Sequence, residues 1–285
     1  MQADNSSHYG VVPPAEIAQL AEQTAVGKAK KHPEVTFVLA ILAGIFVSLA
    51  GMFYTIVTTG TADLPYGFVK LVGGLSFSMG LMMVVLCGAE LFTSNTLLLM
   101  GRATGRLNFA QITRNWTIVY FGNMAGSFLM VAMLMAAGQY LAAGGEVGIN
   151  YMYIANGKLG HTFFQALVLG ILCNLVVCLT YWMTLSARTA TGKMFACMLP
   201  VAAFLSAGFE HSVANMFLLP MGYLIHSVAT PEFWTSTGYS ADYFSNINIY
   251  NILIMNLVPA TIGNIIGGGA MVGLSNWFVH LRERG

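Results

Sequence analysis

Two polar runs sit inside otherwise apolar sequence, and their residue types and spacing could do chemistry. The first is Gly88-Ala89-Glu90-Leu91-Phe92-Thr93-Ser94-Asn95; the second, Gly208-Phe209-Glu210-His211-Ser212-Val213-Ala214-Asn215, repeats its glycine, glutamate and asparagine 120 positions later. Of the six histidines, only His211 lies deep within an apolar stretch. An imidazole, with an unperturbed pKa of ~6.5, changes charge near physiological pH, and an ionisable residue in an apolar span marks a functional site by default. The plainer alternative is a histidine held structurally by two hydrogen bonds. Thr93 offers a hydroxyl that both donates and accepts, unless it simply bonds its own helix backbone. Glu90 and Glu210 hold equivalent places, and a carboxylate in an apolar stretch is costly unless it is paired. Both are therefore read as structural, accepting loop N–H groups or pairing with Asn95, Asn215 or an indole; a proton relay through Glu210 and its neighbour His211 is the alternative.

Catalytic signatures are missing. The sequence holds no Gly-x-x-x-x-Gly-Lys phosphate loop, no His-Glu-x-x-His and no metal-spaced pair of histidines, so neither an enzyme nor a metal or cofactor is expected. Cys87, Cys173, Cys178 and Cys197 all lie in apolar stretches, with a Cys173/Cys178 spacing that fits neither zinc nor a redox pair. They read as small hydrophobes.

The elements that must position these groups are membrane spans. Of 285 residues, 56% are hydrophobic and 8% charged, with a mean hydropathy of +0.70, whereas a soluble domain carries about 25% charged residues. A net charge of +1 gives no basic excess for a nucleic-acid partner. A spanning helix needs about 20 predominantly apolar residues. Six stretches qualify: 36–58, 68–100, 115–137, 161–184, 194–225 and 250–280. The connectors 58–67, 101–114, 138–160, 186–193 and 226–249 are polar or rich in turn formers. The chain thus reads as an all-α membrane protein with an N-terminal segment over 1–35, a six-helix transmembrane domain over 36–280 and a tail over 281–285. No secretory signal is visible, so the N-terminus is expected to be retained.

Lys28, Lys30, Lys31, Arg102, Arg106, Arg114, Arg188, Lys193, Arg282 and Arg284 fall on one side of the six-span path, and only Lys70 and Lys158 on the other. Cytoplasmic loops retain Lys and Arg, so both termini are predicted cytoplasmic. Ahead of the first span, Ile17, Leu20, Ala21 and Thr24 recur at helical spacing over Pro14 to Gly27. The pattern predicts an amphipathic helix at the cytoplasmic membrane surface, or else a frayed tail.

The two halves repeat. Gly122-Asn123 with Gly126 returns as Gly263-Asn264 with Gly267, 141 positions later, and Gly44-Ile45 is matched with Gly170-Ile171. Three spans per half is an odd number, so the second half enters the membrane in the opposite sense. Inverted repeats of this kind place their conduction or binding site near the midplane, often at discontinuous helices. The second and fifth stretches are too long for simple spans and carry their polar runs internally, so both are predicted to break there and to face each other across a pore. Each break exposes the N–H groups and partial positive charge of a half-helix N-terminus. Such ends attract anions, without the fixed cation that would hold one too tightly for conduction. Asn123 and Asn264 are costly polar insertions in apolar helix; Asn264 is expected to line the pore, and the paired glycines to serve close helix packing. A neutral-solute pore is disfavoured because paired Asn-Pro-Ala motifs are lacking; a non-conducting anchor or sensor is the alternative from another class.

At Lys31-His32-Pro33, Lys70-Leu71-Val72-Gly73-Gly74, Leu91-Phe92-Thr93-Ser94, Tyr120-Phe121-Gly122-Asn123, Gly208-Phe209-Glu210-His211-Ser212 with Ala214-Asn215-Met216, and Thr261 through Gly269, the chain resembles the formate/nitrite transporter family, and within it the bacterial formate channels. The resemblance covers essentially the whole chain. It implies an aquaporin-like protomer, assembled as a homopentamer in the bacterial inner membrane, with a pore in each protomer passing formate and similar small anions in both directions. Passage of nitrite or hydrosulfide and proton-coupled formate symport are the alternatives. The resemblance further implies that Thr93, His211 and Asn264 are the central polar residues, that Phe77 and Leu81 form one hydrophobic constriction and Phe204 contributes to the other, that Lys158 draws anions to the periplasmic mouth, and that the N-terminal segment gates the cytoplasmic side. Leu91, Phe92 and Asn174 are expected on the same pathway. The expected partners are the lipid bilayer, the other protomers and a cytoplasmic enzyme of formate metabolism. A carboxylic acid of pKa roughly 3.3–3.9 is ionised at neutral pH, and a bare anion in an apolar slit costs several kcal/mol. His211 is therefore expected to neutralise the anion as imidazolium or to hand it a proton.

Overall fold

A computed structural model describes residues 11–282. The first ten residues of the expected N-terminal segment, and Arg284 within the expected tail, lie outside the described residues. Helices run α1 (Pro14–Lys30), α2 (Pro33–Val57), α3 (Tyr66–Leu86), α4 (Phe92–Asn95), α5 (Leu98–Ala103), α6 (Phe109–Ala136), α7 (Glu146–Leu159), α8 (Phe163–Ser186), α9 (Ala190–Ser206), α10 (Ser212–Val228), α11 (Pro231–Thr237) and α12 (Asn251–Leu281, wound largely as π turns). Local chemistry sets their starts. Proline opens α2, where its missing N–H costs nothing, and reciprocal capping boxes, Asn108 with Gln111 and Thr162 with Gln165, open α6 and α8.

Five helices, α2, α3, α6, α8 and α12, are long and apolar enough to cross a membrane, and the expected fifth span is divided into α9 and α10. The second expected span is divided likewise, into α3 and the short α4 and α5. In one half α2 packs on α3 and α6; in the other α8 packs on α9 and α12; α3 against α9 and α6 against α10 join the two. Glycines permit this closeness. A Cβ at Gly126 or Gly267 would stand 2.1 Å from the carbonyl oxygen of Ile41 or Ile171.

Three expectations need correction. The match of Gly44 with Gly170 is out of register by one helical turn. The Glu90 and Glu210 N–H groups donate to the carbonyls of Leu39 and Leu169, and Asn123 and Asn264 donate to those of Ala40 and Gly170, so α2 and α8 correspond at an offset of 130. The 138–160 connector is less polar and turn-like than read: it holds α7, whose Val147, Tyr151, Met152 and Ala155 are buried in the core. The N-terminal helix exists, but α1 packs on α5, α6, α8 and α12 rather than lying free on a membrane surface. Its buried face is Ile17, Ala18, Ala21, Ala25, Val26 and Ala29, with Leu20 turned out at 39% exposure. Small alanines let α1 approach the bundle closely, which a search for large apolar residues overlooks.

Candidate functional site

The two breaks are built alike. Gly88 (φ +69°) and Gly208 (φ +72°) end α3 and α9 in the left-handed region that favours glycine. The next residues, Ala89 and Phe209, donate back to the carbonyls of Val84 and Phe204 at 3.0 and 3.1 Å, closing each helix with a Schellman turn. The chain then runs extended to Leu91 or His211 and restarts as α4 or α10.

Asparagine clamps hold both restarts. Asn123 Oδ1 accepts the Phe92 N–H (2.9 Å) while its Nδ2 donates to the carbonyls of Ala40 (2.8 Å) and Glu90 (2.9 Å). Asn264 does the same with the Ser212 N–H (2.9 Å), Gly170 (2.8 Å) and Glu210 (2.9 Å). The expectation that Asn264 lines the pore is corrected accordingly. Its amide hydrogens are both engaged by buried backbone, and the Glu210 carbonyl in the non-helical break would otherwise be unpaired. Asn174, placed on the pathway from sequence, is also a brace: its Nδ2 lies within bonding distance of the carbonyls of Thr93 (3.0 Å) and Asn264 (2.6 Å) and of Thr96 Oγ1 (3.1 Å).

Glu90 and Glu210 are fully buried and anchor two matching networks. Glu90 accepts from Asn95 (2.8 Å) and from Lys31 (2.5 Å), with Lys28 Nζ 3.4 Å away. Glu210 accepts from Asn215 (2.5 Å), Asn256 (3.0 Å) and Lys158 (3.1 Å). Behind them Asn115 donates to the Lys28 carbonyl (3.3 Å) and Asn256 to that of Lys158 (3.2 Å). At the 130-residue offset, Lys28 and Lys31 correspond to Lys158 and His161, and α1 is the counterpart of α7. Sequence reasoning missed Lys28, Lys31, Asn115 and Asn256; the shared three-residue spacing before Pro33 and Phe163 was the available signal.

Each network borders a cavity. One, of about 400 Å³, is lined by Lys28, Lys31, Ala89, Glu90, Ser94 and Tyr181 among others. The other, of about 200 Å³, is lined by Tyr54, Lys70, Lys158, His161, Phe209 and Glu210 among others. They lie toward opposite ends of the bundle, because α1 leads into the start of α2 whereas Asn150 of α7 donates to the Thr55 carbonyl (2.8 Å) near its end.

Between the cavities the repeat is broken in its chemistry. His211 stands where the first half has Leu91, both immediately after the equivalent glutamates. Its Nδ1 accepts the Ala214 N–H at 3.0 Å, capping α10, and its Nε2 lies 3.1 Å from Thr93 Oγ1. A nitrogen that accepts carries no proton, so this bonding assigns the neutral tautomer with Nε2–H donating to Thr93. The Thr93 hydroxyl hydrogen is then available to a further acceptor. Both side chains are buried.

Apolar groups flank this pair. The Phe204 ring stacks on His211 at 6.0 Å and meets Phe77 edge-on at 6.2 Å. Phe77 and Phe204 therefore share one level, correcting their assignment to separate constrictions; Leu81 lies one turn further along α3 and is buried. Leu91 is also buried, and the Phe92 ring packs against Trp116 (6.2 Å) and Tyr120 (5.0 Å).

Two inverted halves whose broken helices meet at a buried hydroxyl–imidazole contact, with a polar cavity toward each end, define a membrane channel or transporter. Residues 15–278 match the sequence pattern of the formate/nitrite transporter family. The chain is similar to "Formate channel FocA" of Escherichia coli strain K12, 49% identical over 283 residues and 99% of each protein, and to that of Haemophilus influenzae, 44% identical over 92% of each. A solved structure described as a pentameric formate channel with formate bound superimposes with a TM-score of 0.84 at 48% identity, over 89% of this chain and 99% of that one. This chain belongs to the formate/nitrite transporter family.

Proposed function

We propose that this protein is a homopentameric channel of the bacterial inner membrane, both termini cytoplasmic, through which formate and related small monovalent anions pass in both directions. The observation that carries the reading is the contact of His211 Nε2 with Thr93 Oγ1, buried between two broken helices. An anion arriving there is met by hydrogen-bond donors, the Nε2–H and the Thr93 hydroxyl, and by the positive ends of half-helices. Thr93 and His211 meet directly, and neither is a lysine or arginine, so the grip stays weak enough for release. Lys158, with Glu210, borders the cavity on the periplasmic side, and Lys28 with Lys31 borders the cytoplasmic one. The aromatic pair Phe77 and Phe204, and Leu81, Leu91 and Phe92, narrow the path and exclude hydrated ions. Docked α1 covers the cytoplasmic mouth, a placement suited to gating and to contact with an enzyme of formate metabolism.

The capping bond decides how His211 acts. A second proton on Nδ1 would face the Ala214 N–H donor to donor, so the ring works as a fixed Nε2–H donor rather than handing formate a proton. Formate flux into proteoliposomes should exceed that into protein-free vesicles in either gradient direction, and its absence would refute the channel. His211→Asn retains a capping oxygen; the shape of its pH profile should match the unaltered protein, and a changed profile would restore the relay mechanism.

A further inference from the structure

On the face that carries α1, between the end of α5 and the start of α6, lies a cleft of about 370 Å³ that the pore does not use. Arg102 and Arg106 line it, with Asn108, Phe109 and Gln111, and no carboxylate does. The Arg102 guanidinium lies 4.9 Å over the Phe109 ring and, among the described residues, has no ion-pair partner. That position over the ring leaves its N–H groups to offer a bidentate oxyanion. Arg106 is anchored through Nη1 to the Glu22 carboxylate (2.5 Å), which leaves its other donors available. In the capping box the side-chain oxygens of Asn108 and Gln111 turn inward onto backbone N–H groups, so their amide –NH₂ donors remain.

Apolar surface adjoins these donors. Phe109 is 63% exposed, and beyond it α6 exposes Phe121, Phe128, Leu129 and Met133. The corresponding connector of the second half, 229–250, contains no lysine or arginine, so the cleft is not imposed by the repeat. We propose that this cleft binds the phosphate group of an anionic phospholipid, whose acyl chains follow the apolar face of α6. Free phosphate shares the headgroup chemistry but gains nothing from Phe109 and the helix face.

The test is native mass spectrometry of the intact protein in mild detergent, with phosphatidylglycerol, phosphatidylcholine or inorganic phosphate added. Phosphatidylglycerol should be retained over phosphatidylcholine, and Arg102→Gln should reduce that retention by roughly fivefold, the loss expected of one basic residue at an anionic lipid surface. Lys30→Gln, on the same face but outside the cleft, should not. Gln111→Glu keeps a capping oxygen while adding a repelling charge and should lower retention at least as far. Equal retention of both lipids, or no loss in either cleft variant, overturns the site. Displacement of phosphatidylglycerol by an equal concentration of inorganic phosphate overturns the lipid assignment.

Discussion

His211 and Asn264 occupy neighbouring elements at the same break, yet their bonding separates their roles. The ring nitrogens of His211 face one backbone donor and one side-chain hydroxyl. Asn264 faces backbone only. Replacing Asn264 by alanine leaves the Ser212 N–H and the Glu210 carbonyl without partners, a cost of about 2 kcal/mol or more. Thermal unfolding in detergent should show that loss for Asn264→Ala and a similar one for Asn123→Ala; a variant as stable as the unaltered protein but changed in anion preference would return Asn264 to the pore wall. The Lys158–Glu210 pair yields a second residue-scale prediction. Lys158→Met strands a fully buried carboxylate and should destabilise the fold by ~3–5 kcal/mol. Adding Glu210→Gln should recover much of that, because the uncompensated charge is gone. Failure of the double variant to recover would mean that the lysine acts through its packing.

At the scale of elements, the glycines sort into two physical kinds. Gly88 and Gly208 have open space where a Cβ would sit but adopt left-handed φ, so alanine there carries only the backbone penalty of ~1–2 kcal/mol. Gly126 has ordinary helical backbone, but its Cβ would lie 2.1 Å from the Ile41 carbonyl oxygen. Gly88→Ala should therefore fold with a lowered melting temperature, whereas Gly126→Ala should elute as aggregate or fail to accumulate, as size-exclusion chromatography would reveal. Equal behaviour of the two would refute the distinction. The helix ends at Gly88 and Gly208 were visible in sequence because a glycine beside a Glu and an Asn recurs after 120 residues. The π winding of α12 was not, since an apolar run rich in glycine suits α and π turns alike.

For the whole molecule, the correspondence of α1 with α7 means that the inverted repeat begins near residue 14 rather than at the first span. Lysine pairs with each break glutamate, Lys28 and Lys31 with Glu90 and Lys158 with Glu210, the first pair coming from α1 and its C-terminal end and the last from α7. The proposed assembly of five such units predicts a purified protein mass about five times the 30.6 kDa chain by light scattering after correction for detergent. A value near one or two chains would refute it.

Composition and periodicity by themselves determined the membrane class, the inverted halves, the two breaks and the residues nearest the centre, because apolar length, odd span count and polar runs inside a span are local properties of the chain. Tertiary structure alone decided that α1 docks into a mouth of the bundle, that Asn264 and Asn174 brace backbone, that Phe77 meets Phe204 and that α2 and α8 correspond at 130 residues rather than 126. Those facts rest on which groups meet across residues about 40 to 130 positions apart, and nothing in the local sequence chooses among the acceptors that a buried amide could reach.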